Sequence, residues 1–590
     1  MDSVHDLHTR RPALEIASRR TRLQESLQFF PGPLADVAAA HMTAAERAAG
    51  GLWRREPSVW SDNPAVQEKI ATRLGWMSSP VLMADSLDRL QQFADAVKHD
   101  GFTDVVLLGM GGSSLAPEVL RAVLGVAPGW PRFQMIDSTD PAAVLAASTA
   151  PDRTLYVLAS KSGSTIEPNS LAAHFRAAIE QAGVSAWARH FVAITDPGTA
   201  LAERARVERF RETFINPPDI GGRYSALSFF GLVPAALMGH DLAALVGWGA
   251  AMLAAAEPGF GTATTNPAVA LGLLLGAGAL AGRDKLTLVL PPSLEALGLW
   301  IEQLVAESTG KQGVGVVPIA GETLARPETY GADRLFVRTR LHGAGADETR
   351  ATKLGDLKAG FPVAAIDVPE RSALAAEFVR WEIATAVAGA LLRVNPFDEP
   401  NVQQAKDATR VLLDRHAADG KLPAPPPDRT SALGATLTLS TAAKRPLGTK
   451  PPESILTLLA EGDYLALLAY LGPDADIAAA LHAFRMSVRD RTGAATMFGY
   501  GPRYLHSTGQ LHKGGPNTGV FVLVTAAPRT DVPIPGEPFS FGTLELAQAL
   551  GDFASLDAAN RRAVHVHLPA PDPPLLGSML DALLDALPRP

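Results

Sequence analysis

Val105-Val106-Leu107-Leu108-Gly109-Met110-Gly111-Gly112-Ser113-Ser114 decides the fold class of this chain. Four consecutive apolar residues without alternation predict a short strand buried on both faces, as in a parallel sheet covered by helices. The glycines predict a turn at the strand's end, and Val119, Leu120 and Val123 continue as a helix packed on the sheet. The same order recurs outward from this stretch. Strand candidates at 133–136, 155–159 and 191–194 are each followed by a helical run, so 86–245 is expected to be a doubly wound α/β domain.

A second α/β unit is expected over 246–422. A buried helix (268–281) precedes a strand at 286–290, an apolar helix at 294–306 and a strand at 314–319. Strands at 334–337 and 363–368 then lead into a helix at 373–392. Two such units in tandem suggest a duplication, although no residue-level repeat links them. Residues 1–85 read as helices. Ser61-Asp62-Asn63-Pro64 offers a cap followed by proline at the first helical position, and Val66, Ile70, Leu74 and Met77 recur at helical spacing. Leu422-Pro423-Ala424-Pro425-Pro426-Pro427 can be neither helix nor central strand, so 423–429 reads as a linker. Beyond it, 430–590 reads as a third α/β unit, with strands at 521–524 and 564–568.

Composition narrows the function classes. At 590 residues the chain exceeds what one core can serve. Hydrophobic residues at 47% and charged residues at 19% are the balance of a folded globular protein. The formal net charge of −8 argues against nucleic acid or an anionic membrane as partner, so an anionic ligand must be held by local groups. Cysteine is absent; that removes disulfides, thiolate metal sites and cysteine nucleophiles, and fits a reducing cytoplasm. Met1-Asp2-Ser3-Val4-His5-Asp6 begins no secretory signal. The apolar runs 227–237 and 269–281 are too short and too rich in Gly, Ala or Pro to span a bilayer. A soluble, cytoplasmic protein is the expectation.

Three stretches carry candidate chemistry. The helix at 294–306 carries Leu297, Leu299, Trp300, Ile301, Leu304 and Val305, then delivers Glu307 into Ser308-Thr309-Gly310-Lys311. A carboxylate at a helix C-terminus opposes the dipole. Desolvated there, it becomes a base strong enough to take a proton next to a carbonyl; a solvated terminal glutamate is the plainer alternative. Gly109 to Ser114 is not a Walker motif, because no Gly-Lys-Ser/Thr follows. It either brings backbone N–H groups to an anion or forms a tight turn. Ser160-Lys161-Ser162-Gly163-Ser164-Thr165 follows a strand and opens a helix near Glu167. Four hydroxyls and a lysine at a helix N-terminus make a phosphate cradle, with a flexible capped turn as the alternative. His565-Val566-His567 alternates on a strand; lacking a carboxylate or third histidine nearby in sequence, it reads as a surface pair and not a metal site.

Together the two hydroxyl- and glycine-rich loops resemble the phosphate-binding (SIS) domain of sugar isomerases. Gly221-Gly222-Arg223-Tyr224-Ser225, Glu307-Ser308-Thr309-Gly310-Lys311, and Asn395-Pro396-Phe397-Asp398-Glu399-Pro400-Asn401-Val402 with Lys406 narrow the resemblance to the glucose-6-phosphate isomerase family, whose order they follow over 109–406. The flanking portions look like the isomerase half of bifunctional transaldolase/isomerase proteins, with no transaldolase half in view. The resemblance implies two tandem SIS-type domains, a homodimer, no cofactor and no metal. It also implies a small sugar phosphate as partner, with glucose 6-phosphate and fructose 6-phosphate interconverted through ring opening and a cis-enediol. It places Gly112, Ser113, Ser160, Lys161, Ser162 and Thr165 around the phosphate, and makes Glu307 the base between C2 and C1. Arg223, reached past Gly222, would stabilise the enediolate. Lys406 and His506 would open the ring, and Gln303 would bind a sugar hydroxyl.

One motif is out of order. The family's histidine loop lies between the glutamate and the lysine, yet 312–394 contains no such stretch, and His342 in Leu341-His342-Gly343 matches nothing. Leu505-His506-Ser507-Thr508-Gly509-Gln510 does match but follows Lys406, so the C-terminal unit is expected to supply the histidine. His512 and Lys513 are further candidates, Lys513 as a substitute for Lys406. Two rivals stand beside this reading. A non-catalytic sugar-phosphate regulator needs the cradle but not Glu307, Arg223 and Lys406 together. An isomerase of another sugar phosphate, such as mannose 6-phosphate, would share them all.

Overall fold

The computed structural model describes residues 15–147, 150–345 and 357–588; the stretch 1–6 read above lies outside them. The N-terminal segment, expected to be helical, also includes a strand, Leu27–Phe30 (β1). The run stops at Pro31-Gly32, where proline removes a donor, and the free edge of Val363–Val368 (β10) offers it a ladder. The two strands pair antiparallel, Leu27 opposite Ile366 and Phe30 opposite Val363.

The first sheet comprises Asp104–Gly109 (β2), Arg132–Ile136 (β3), Thr154–Ala159 (β4), Phe191–Thr195 (β5) and Glu212–Ile215 (β6), all parallel in the order β3-β2-β4-β5-β6. Every residue of β2 and β4 is buried, as their unbroken apolar runs require. The second sheet adds Lys285–Val289 (β7), Val317–Ile319 (β8) and Arg334–Leu341 (β9) in the order β1-β10-β9-β7-β8. Strand β8 is shorter than expected because Lys311 and Val314 bridge in a turn before it. One continuous core, from Ile16 to Phe397, joins the N-terminal helices to these two units; Trp60, for example, donates to the Ala386 carbonyl at 2.8 Å and packs edge-on against Phe397. The apolar runs 227–237 and 269–281 are buried helices, Phe229–Leu237 and Val269–Leu280. Among the described residues no helix is long and apolar enough to cross a membrane.

After an irregular stretch at 421–427, the third sheet forms from Arg429–Thr430 (β11), Thr436–Leu439 (β12), Tyr464–Tyr470 (β13), Ala495–Tyr500 (β14), Gly519–Ala526 (β15) and Arg562–Leu568 (β16), in the order β11-β12-β16-β15-β13-β14. The four strands β13 to β16 run parallel, and β11 and β12 close the edge antiparallel. The chain is therefore α/β throughout, with doubly wound parallel sheets, as its sequence predicts.

A buried ionic knot fastens the third sheet to the second. Arg334, fully buried at the start of β9, donates to both Glu322 oxygens (2.9 and 3.3 Å) and to the Ala494 carbonyl. Glu322 also accepts from the Thr496 N–H and hydroxyl on β14, each at 2.8 Å. Burial pushes the Glu322 carboxyl up, but Arg334 and Arg485 pull it further down, to a net value below the usual range. Its stabilising effect is therefore fully present above the unfolded value of about 4.3 and lost as pH falls through the lower folded value. Glu322→Ala, which leaves Arg334 buried and unpaired, is expected to lower unfolding free energy by about 3–5 kcal/mol at pH 7. Urea unfolding at pH 7 and pH 4 checks this: the parent should lose more stability on acidification than the variant.

Candidate active site

The site begins with an imbalance. The helix Leu297–Thr309 is buried almost all round, with Leu297, Trp300, Ile301, Leu304 and Val305 at most 1% exposed. Each aliphatic side chain there contributes roughly 1.5–3 kcal/mol of burial, enough to carry Glu307 into the interior in its last turn. Burial raises the Glu307 carboxyl above the glutamate range; Arg223 opposes that without cancelling it.

Arg223 faces this carboxylate across 3.1 Å. Its Nε donates to Ser308 Oγ (2.8 Å), Nη1 also reaches Glu399 (2.9 Å), and Nη2 donates to the carbonyls of Pro396 (2.8 Å) and Asp398 (2.9 Å). Four of the guanidinium N–H groups thus donate hydrogen bonds, and Glu307 adds an ion pair. The Asn395–Asn401 segment is the saddle that receives them. Lys311 inserts beside it, bonding the carbonyls of Asn395 and Asp398 and the Asp398 carboxylate (2.6 Å). Burial, helped by Arg223, pushes the Lys311 ammonium down to about 8.

The phosphate-type loops lie side by side because β2 and β4 are neighbours. Gly111 sits at φ 54°, and a Cβ there would fall 2.5 Å from the His506 carbonyl oxygen. A Cβ on Gly112 would fall 2.0 Å from the Gly222 carbonyl oxygen, so Gly112 and Gly222 meet backbone to backbone and place Ser113 and Arg223 at one locus. In the second loop, Ser160 Oγ lies 3.0 Å from Thr165 Oγ1 and accepts the Gly163 N–H, while Ser162 Oγ stands 3.5 Å from Thr165 Oγ1. Lys161 is pinned by Asp196 and the Pro218 carbonyl.

The histidine comes from the third unit. His506 Nε2 is 2.8 Å from Glu167 Oε1, and its backbone carbonyl accepts from Gln303 Nε2 at 2.7 Å. The same Gln303 amide reaches Glu307 Oε2 at 3.2 Å. Gln510 extends the junction, donating to the Gly310 carbonyl and Asn401 Oδ1 and accepting the Asn401 N–H. Glu167 is buried; desolvation works to raise it, but His506 and then Lys406 hold it below the usual range. Lys406 is exposed in the second turn of the helix Val402–Asp419. Lys513 is buried against Asp552 at 2.6 Å and donates to the Gly509 carbonyl, and His512 is kept neutral by burial. His565 and His567 are not a surface pair: both rings bond Thr525 Oγ1 at 2.8 Å, and His565 is buried. His342 follows the end of β9, where its N–H donates to the Val368 carbonyl.

Comparison with known proteins gives these motifs a lineage. The phosphoglucose isomerase family model matches residues 80–323. Glucose-6-phosphate isomerase of Rubrobacter xylanophilus is 31% identical over 423 residues, covering 62% of this chain and 95% of the relative. This chain belongs to the glucose-6-phosphate isomerase family. The Thermus thermophilus glucose-6-phosphate isomerase is 32% identical over 393 residues, covering 58% of this chain and 90% of that one. A solved structure of a hypothetical protein from Thermus thermophilus superposes with a TM-score of 0.54 at 26% identity, over 65% of this chain and 99% of its own. Within the isomerase family match lie the two loops, Arg223, Gln303 and Glu307, whereas Lys406 and His506 fall beyond residue 323.

Sequence reasoning missed Glu167, Glu399 and Gln548. Glu167 had a signal, an acid in the first turn after the hydroxyl loop, but a favourable helix-dipole position explains such an acid equally well. Gln548, which donates to Glu167 at 2.7 Å and accepts from Thr139 at 2.8 Å, had none. Gly112→Ala is expected to force the two backbones apart, lowering stability by about 1–3 kcal/mol and weakening inorganic phosphate binding. Chemical denaturation and phosphate titration check it.

Proposed function

We propose that this chain interconverts glucose 6-phosphate and fructose 6-phosphate, with Glu307 as base, and that all of its catalytic groups come from one polypeptide. The observation that carries the reading is the Gln303 amide, which ties the Glu307 carboxylate to the His506 loop of the C-terminal unit. Ser113, Ser160, Ser162, Thr165 and the N–H groups at the helix N-terminus hold the phosphate, since hydroxyls and helix-end amides grip an anion without a basic field. Lys161 positions the loop through Asp196.

His506, oriented by Glu167, takes the proton of the C1 hydroxyl and returns it to the ring oxygen as the C1–O5 bond breaks; Lys406 assists from the exposed side. The aldehyde is then conjugated with an acidic C2–H. Glu307 takes that proton, negative charge develops on O1 of the enediolate, and Arg223 stabilises it. Returned to C1, while a hydroxyl proton moves from O2 to O1, the same proton gives the ketose. A burial-raised carboxyl is a better base than a solvated one. Gln303 orients this carboxylate and contacts a hydroxyl. The expected dimer is not needed to complete this set.

A coupled assay from fructose 6-phosphate to glucose 6-phosphate tests the activity, with mannose 6-phosphate as the alternative product. Glu307→Gln should lower turnover about 10²–10⁴-fold while the α and β anomers of glucose 6-phosphate still interconvert on the protein. Anomer exchange needs ring opening but no base at C2. His506→Ala should give the opposite pattern, losing anomer exchange; magnetisation-transfer NMR distinguishes the two. In the parent the acid limb of kcat/KM should lie above the ordinary glutamate value of about 4.3, because Glu307 must be ionised to act. Specific activity per chain should stay constant on dilution through any dissociation of copies seen by light scattering.

A further inference from the structure

The third sheet repeats the device that builds the sugar-phosphate site. In the first sheet the chain leaves β2 toward β3 on one side and β4 toward β5 on the other, and ligand loops meet outside such diverging strand ends. In the third sheet β13 and β15 are neighbours, β13 leading to β14 and β15 to β16 on opposite sides. Outside their carboxyl ends lies a cavity of about 310 Å³ whose wall includes Tyr470, Thr525, Asp531, Glu545, His416 and His567. None of these residues belongs to the sugar-phosphate site.

Two buried polar atoms on the residues of this wall lack partners. Glu545 is 6% exposed, and its Oε1 is without a hydrogen bond; His416 Nδ1, near the end of the helix Val402–Asp419, is likewise unbonded. Native proteins rarely leave such atoms unsatisfied, and a ligand in the cavity would satisfy them. The surrounding charge selects its sign. Asp531 already accepts from the N–H groups of Val532 and Gly542 and from Ser540 Oγ. With Asp140 it forms an acidic field around Glu545. Burial foremost, then these two carboxylates, push Glu545 well above the usual range, which favours its protonated form. Burial also lowers His567, and the lysine of the wall, Lys421, is exposed.

An anion would meet Asp531 in the wall and the field of Asp140 behind Glu545. Among the described residues no group of three or more His, Asp or Glu could hold a metal ion. A protonated amine brings N–H donors to unbonded acceptors and lets Glu545 ionise against it. We propose that the crevice outside β13 and β15 binds a small organic amine, through Glu545 with His416 as second acceptor, at a site separate from the sugar-phosphate centre.

The test is calorimetry on the full chain with putrescine as probe and 1,4-butanediol as its uncharged counterpart. The parent should bind putrescine at least about ten-fold more tightly than the diol, and Glu545→Gln should weaken putrescine by about ten-fold or more. The melting temperature of each variant shows that it is folded. If Glu545→Gln fails to fold, His416→Leu is read in the same way. No heat from putrescine at millimolar concentration, equal binding of the diol, or undiminished binding by the folded variants would each overturn the proposal. Because the readout is direct binding, it does not depend on isomerase activity.

Discussion

A buried guanidinium must find partners for the N–H groups and the charge it takes out of water, and Arg223 finds them by drawing distant segments together. Ser308 and Glu307 come from the second unit's helix, Pro396, Asp398 and Glu399 from the saddle after residue 394, and Arg223 itself from the turn that follows the first sheet. Once that cation is fixed, much else follows. Glu307 cannot retreat to solvent, Lys311 loses part of its affinity for a proton, and the Gly222 backbone is pressed onto Gly112. The arrangement keeps a carboxylate desolvated but ionisable, the condition for a base that works on a carbon acid.

The C-terminal unit is part of this centre and not an appendage to it. Gly310 has no side chain because the Leu511 backbone passes where a Cβ would stand, 2.5 Å away, and Gly313 donates to the Gly514 carbonyl at 2.9 Å. Gln510 bridges the saddle and the end of the Glu307 helix, while Glu167 reaches from the first unit to His506. Removing the unit would therefore expose the buried amides and carbonyls of two other units, each at an energetic cost. That interdependence brings a histidine late in chain order next to a buried glutamate of the first unit.

Much of the fold was legible in sequence for a simple reason. Runs such as 105–108 and 155–159 are uniformly apolar, and burial on two faces is the arrangement that accommodates such runs. The phosphate loops were legible because hydroxyls, glycines and a helix start are local features with a local cause. β1 was not, because a four-residue strand at a sheet edge is decided by the partner it finds, and β10 lies more than three hundred residues away.

The sequence by itself determined the α/β class, the two loops, the arginine and the glutamate, and through the motifs the family to which the chain belongs. The tertiary structure alone decided which partners the candidate cations and histidines meet. Lys513 and Lys161 look as suitable as Lys406 in a string of letters, yet Asp552 and Asp196 hold them. His565 and His567 share one threonine hydroxyl, and His506 faces a buried glutamate from another unit. Local patterning sets backbone conformation over a few residues, whereas the reactivity of a side chain is set by desolvation and by charges brought near from anywhere in the chain.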